Sequence, residues 1–199
     1  MMTPCFVDVA NAEAGVDLTT LIPGGEYASS DITVETLDAY GKLDKDYSFV
    51  KDRKGNWYWS GDEGKIETGD VLFPVGKGLW VAGVDSTSLT SAGAVSTADT
   101  TINLCDGFVA CGNMTAVAVD LTAIIPGGVY ASSDITIETL DAYGKLDKDY
   151  SFVKDRKGNW YWSGDEGKIE EGDVTFESGK GLWVAGVEGA TITIPGPTL

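Results

Sequence analysis

Tyr47-Ser48-Phe49-Val50, then Lys51-Asp52-Arg53-Lys54-Gly55-Asn56, then Trp57-Tyr58-Trp59 reads as strand, turn, strand. Aromatic and β-branched residues fill the two flanks, and Asp, Lys, Gly and Asn fill the turn, where a glycine lets the chain reverse. The same hairpin returns as Tyr150–Trp162, an offset of 103. Outward from it, the match extends to residues 17–83 against 120–186, with only eight differing positions. Between Ala28–Glu67 and Ala131–Glu170 the single difference is Val34 against Ile137. The unit is therefore a module of about 90 residues present twice, and whatever surface it offers is offered twice.

The rest of the module continues the pattern. Ile32-Thr33-Val34-Glu35-Thr36-Leu37 alternates with β-branched residues, and Val71-Leu72-Phe73 and Leu79-Trp80-Val81 follow Gly-rich turns. Only Asp17–Ile22 suggests a helical turn, stopped by Pro23-Gly24-Gly25. Short strands at this spacing predict an all-β chain of two tandem, near-identical small β-sandwich or barrel modules. The expected organisation is residues 1–93 for the first copy, 94–104 for a linker that adds a short strand at Thr101–Leu104, and 105–199 for the second copy. Phe6-Val7-Asp8-Val9-Ala10-Asn11 aligns with Phe108-Val109-Ala110-Cys111-Gly112-Asn113 at an offset of 102.

Differences between the copies report on orientation. Leu72 becomes Thr175 between two retained apolar residues, which places 71 and 73 inward and 72 outward. Glu26/Val129, Thr68/Glu171, Pro74/Glu177 and Val75/Ser178 read as surface positions, and Leu21/Ile124 and Val34/Ile137 as core. The Gly76-Lys77-Gly78 turn is expected to let Trp80, and Trp183 in the second copy, enter the core of its own module.

Composition excludes several functions. The net charge of −17 repels phosphate backbones and anionic lipid. No apolar run is long enough to span a bilayer. The first basic residue is Lys42, so the start is not a Sec-type signal; a signal was removed, or the protein is made and used in the cytoplasm. The three cysteines, Cys5, Cys105 and Cys111, fit no zinc pattern. Free thiols are expected, with a Cys105–Cys111 bridge as the alternative.

There is no histidine, which removes Ser-His-Asp, Cys-His and His-Glu-x-x-His chemistry. Asp62-Glu63 and the Asp44/Asp46 pair are carboxylates in turn-like sequence, and Asp44-Lys45-Asp46 falls short of a calcium loop. No catalytic residue, metal or cofactor is expected.

The densest aromatic feature is Trp57-Tyr58-Trp59, repeated as Trp160-Tyr161-Trp162. In a strand, both tryptophans share one face. Either that face is core with Tyr58 outside, or the tryptophans form a sugar-stacking or docking platform. In the second case Arg53 and Asn56, and Arg156 and Asn159, are the polar neighbours.

The closing pattern Gly69-Asp70-Val71-x-Phe73-x-x-Gly76-x-Gly78-Leu79-Trp80-Val81 recurs from Gly172 to Val184. It resembles the end of β-modules found in bacteriophage virion proteins and bacterial surface proteins. The resemblance implies a non-enzymatic role in assembly or attachment and transfers no functional residue. The leading expectation is a structural subunit of a particle or filament, such as a phage capsid, decoration or tail component, contacting copies of itself or other virion or surface proteins. The alternative is a tandem carbohydrate-binding or adhesion pair at the cell surface, using the Trp-Tyr-Trp strand on glycans. For the assembly role, the Met1–Phe6 arm and the Thr101–Leu104 strand are expected to complete a neighbour's sheet.

Overall fold

The computed structural model describes residues 2–6, 16–38, 40, 42–73, 78–90, 98–113, 115, 117–141 and 145–197. The chain is all-β, with antiparallel sheets, none closed into a barrel. The first six-stranded sheet runs in the order Met2–Phe6, Gly78–Ala82, Thr33–Leu37, Leu43–Lys51, Trp57–Gly61, Gly64–Lys65. The second runs Gly107–Gly112, Gly181–Gly186, Thr136–Leu140, Leu146–Lys154, Trp160–Gly164, Gly167–Lys168, the same order with the repeat's offset in its last five strands. Smaller sheets lie beside them, such as Val16–Asp17 with Leu72–Phe73 and Ile22–Gly24 with Ser88–Thr90. The expected helical turn is a 3₁₀ turn at Leu18–Thr20.

Cross-strand register explains which residues are core. Val34 stands opposite both Tyr47 and Val81, so these three share a face. That face, with Leu18, Leu21, Ile32, Trp59, Phe73 and Leu79, forms the first core; Leu121, Ile124, Ile135, Ile137, Trp162, Phe176 and Leu182 begin the second. The orientation expectations hold where residues are described. Leu72 is 52% exposed while Phe73 is 4% exposed, Val129, Thr68 and Glu171 are exposed, and Leu21, Ile124, Val34 and Ile137 are buried. Pro74 and Val75 lie outside the described residues; their counterparts Glu177 and Ser178 are exposed.

Trp80 and Trp183 correct the sequence reading. Trp80 pairs with Glu35, and Trp183 with Glu138, on the opposite face from Val34 and Ile137. Neither indole belongs to its own repeat's core. Instead the two large sheets meet at their first two strands, Met2–Phe6 and Gly78–Ala82 against Gly107–Gly112 and Gly181–Gly186, and Trp80 packs edge-on against Trp183 at 6.0 Å, with Phe108 at 5.1 Å from Trp183. Trp80 is buried and Trp183 half-buried, so the positions are equivalent in register but not in cover. The glycine at 78 has a role other than aiming Trp80 inward. A Cβ there would come within 2.6 Å of the Ala110 carbonyl carbon, so its absence lets two strands of different repeats touch.

The segments assigned to assembly are used inside the chain. Met2–Phe6 pairs with Gly78–Ala82. Thr100–Asn103 pairs with Ala190–Ile194, held further by Gly196 N–H donating to Asp99. The register of the first strand also differs from the aligned sequence. Cys5 stands opposite Leu79 as Cys111 stands opposite Leu182, an offset of 106 in place of 102. Cys105 and Cys111 are unbridged, and burial pushes the Cys111 thiol up to about 12.

Two expectations follow for the seam between the repeats. Trp80→Ala should cost about 3 kcal/mol in urea unfolding, and a Trp80→Ala/Trp183→Ala cycle should show a coupling of about 0.5–1.5 kcal/mol. A coupling of zero would place the indoles apart. Glu35 faces Asp46 across the strand pair, and Glu138 faces Asp149. Burial, then the neighbouring aspartate, raises each glutamate above its ordinary 4.5. The folded state thus binds more protons than the unfolded chain just above that value, and stability falls as pH rises through the window. Glu35→Gln with Glu138→Gln should raise the melting temperature at neutral pH and have little effect below about pH 4. An equal gain at both pH values would contradict this.

Candidate functional site

The repeated hairpin ends in a groove. Trp59 is core, and its indole N–H donates to the Leu21 carbonyl at 3.1 Å, which fixes the Leu18–Thr20 turn over the sheet. Trp57 shares that face but lies further along the strand, half-buried at the groove. Phe49 stacks on it at 5.3 Å with the rings 7° from parallel, and Tyr27 meets it edge-on at 5.1 Å. Lys51 places its ammonium 5.5 Å from the Trp57 ring, a cation–π contact. The tryptophans therefore divide the two roles that the sequence left as alternatives. One completes the core, and the other forms the groove's aromatic floor.

The groove encloses about 460 Å³. One wall is Leu21-Ile22-Pro23, with Ile22 63% exposed. The other is Lys65-Ile66-Glu67-Thr68, where the Lys65 ammonium lies 2.7 Å from Glu67 and the Thr19 and Thr68 hydroxyls are 3.3 Å apart. The walls are tied together by Asp17. Its carboxylate accepts from the Thr19 N–H and hydroxyl and, at 2.6 Å, from the Gly69 N–H across the groove end. Burial opposes its ionisation, but these hydrogen bonds outweigh burial and hold the carboxyl below its usual range.

The second repeat builds the same groove from Trp160, Tyr161 and Trp162, with Phe152 stacked on Trp160 at 5.2 Å and Lys154 at 5.4 Å. Its volume is about 370 Å³. Asp120 ties its walls as Asp17 does, accepting from Gly172 N–H at 2.6 Å. Among residues lining both grooves, Leu21 is replaced by Ile124 and Thr68 by Glu171.

Arg53 and Asn56 do not join the groove. Both lie on the exposed hairpin turn, where the Asn56 side chain and N–H donate to Asp52. Arg156 and Asn159 are placed likewise, with Asn159 donating to Asp155. Adjacency in sequence suggested them, but the turn carries them past the strand end. The groove residues from elsewhere in the chain, Thr19, Tyr27, Lys65 and Glu67, carry no local motif. Asp62 and Glu63 sit in the exposed turn after Trp57–Gly61. Among the described residues no cluster of three metal-ligating side chains occurs, and no helix is long and apolar enough to cross a membrane.

No family model, curated protein or solved structure matches this chain.

Asp17→Ala removes the cap of the 3₁₀ turn and the strap to Gly69. It should cost about 1 kcal/mol, the usual price of a lost cap. A depressed carboxyl contributes stability above its unfolded value of 3.8 and loses it as pH falls through the folded value. The difference between wild type and variant in chemical unfolding should therefore shrink on acidification; a constant difference would exclude the ionised carboxylate as its cause.

Proposed function

We propose that the chain is a non-enzymatic, bivalent binding protein whose two aromatic grooves take segments of a neutral glycan. The observation that carries this is the duplicated groove. Each copy joins a stacked Trp–Phe pair to flanking hydroxyls and an ion pair, so one side is apolar and the rim is polar. A pyranose ring has the matching character, with C–H groups on its faces and hydroxyls at its edge. Concave sites with an aromatic lining and a few placed polar groups are the usual form of small-ligand sites. The strongly acidic surface disfavours anionic glycans and favours a neutral chain.

Two like sites on one chain gain most on a polymer, where the second contact becomes intramolecular. Retention on an immobilised neutral polysaccharide should drop about 10²-fold for Trp57→Ala or Trp160→Ala alone, through lost avidity. The double variant should not be retained. Retention of a folded double variant at the wild-type level would sink the glycan reading.

A second reading, a subunit of an assembled particle or surface structure, draws on one other feature. Among the described residues Ser88–Thr90 pairs on one edge only, with Ile22–Gly24, whereas Ala190–Ile194 pairs on both.

A further inference from the structure

The two grooves share their aromatic floor and differ in charge at one position. Of the residues that line both, Leu21/Ile124 exchanges one apolar side chain for another, and Thr68/Glu171 exchanges a hydroxyl for a carboxylate. Thr68 and Glu171 are both exposed, so packing does not select between them. Glu26, an acid that the second repeat replaces with Val129, does not line the first groove.

The strap from the aspartate fixes where this position stands. In the first repeat Gly69 N–H donates to Asp17, and the Thr68 hydroxyl lies 3.3 Å from that of Thr19, which closes the groove end with an uncharged pair. In the second repeat Gly172 N–H donates to Asp120 in the same way, so the backbone presents Glu171 at the same place. The Thr122 hydroxyl is turned to Asp120. The ammonium on that wall, Lys168, is held by Glu170 at 2.7 Å, as Lys65 is by Glu67 in the first repeat. Among the described residues the Glu171 carboxylate has no ion pair. The charges lining the first groove therefore cancel, and those lining the second leave one carboxylate over.

We propose that the second groove selects a sugar unit carrying a protonated amine, while the first takes the uncharged unit. This rests on the glycan reading of the grooves and names the charge of the ligand at one of them. The ring stacks on the aromatic floor as an uncharged sugar does, and its ammonium donates to the Glu171 carboxylate at the polar rim. A sugar hydroxyl can donate to the same oxygen, but the ammonium adds the attraction of opposite charges. The net charge of −17 draws a cationic ligand in the same direction. The best-fitting polymer is thus a neutral glycan in which some units bear an amine. Because Glu171 is exposed, the preference is about fivefold and is screened by salt.

Two variants isolate the grooves: Trp57→Ala leaves the second to bind, and Trp160→Ala the first. Each is titrated by calorimetry in mildly acidic buffer with a tetramer of N-acetylglucosamine and a tetramer of glucosamine, which differ in an acetamide against an ammonium. On Trp57→Ala the glucosamine tetramer should bind about fivefold more tightly, and salt at about 0.5 M should erase the difference. On Trp160→Ala the two should bind alike. Adding Glu171→Thr to the former should remove the preference, and adding Thr68→Glu to the latter should create it. Each exchange installs at an exposed position the residue that the other repeat already carries, so the fold is kept. Equal affinities on Trp57→Ala, or a preference that survives Glu171→Thr, would overturn this inference alone, since binding of the neutral tetramer still upholds the glycan reading. Binding of neither tetramer to either variant would remove both. An oligolysine peptide that binds Trp57→Ala as tightly as the glucosamine tetramer would also overturn the inference, because the groove end would then hold any cation.

Discussion

The hydrogen bond from the Trp59 indole to the Leu21 carbonyl, and its twin from Trp162 to Ile124, organises each repeat. A buried indole must find an acceptor for its N–H, and the acceptor here is the backbone just after the 3₁₀ turn. That bond sets the turn over the sheet and brings Leu18 and Leu21 into the core. It also leaves Ile22 and Pro23 standing as a wall beside Trp57. Core and groove are thus two ends of one packed face, and a single buried polar contact sets where one gives way to the other.

Much of this was legible in the sequence. Alternating β-branched residues placed the strands at Thr33–Leu37 and Trp57–Gly61 within a residue or two, and the copy-to-copy substitutions placed Leu72 outward. Trp80 was not legible. In Leu79-Trp80-Val81 every residue is apolar, so alternation cannot say which face is the repeat's own core. Both faces are covered, one by the core and one by the other repeat, and only the three-dimensional register separates them. Arg53 and Asn56 were misplaced for a related reason. Sequence proximity does not measure direction, and a hairpin turn points away from the strand face it follows.

The near-identity of Ala28–Glu67 with Ala131–Glu170 spans exposed residues such as Lys51, Arg53 and Lys54, which core packing does not demand. Lys51 and Lys154 each stand over the tryptophan that floors a groove. The seam adds a reason for the matched tryptophans alone: Trp80 meets Trp183 there, whereas Asp46 and Asp149, at the far ends of the cross-strand rows through Glu35 and Glu138, are exposed. A surface that packs against its own duplicate is constrained on both sides at once.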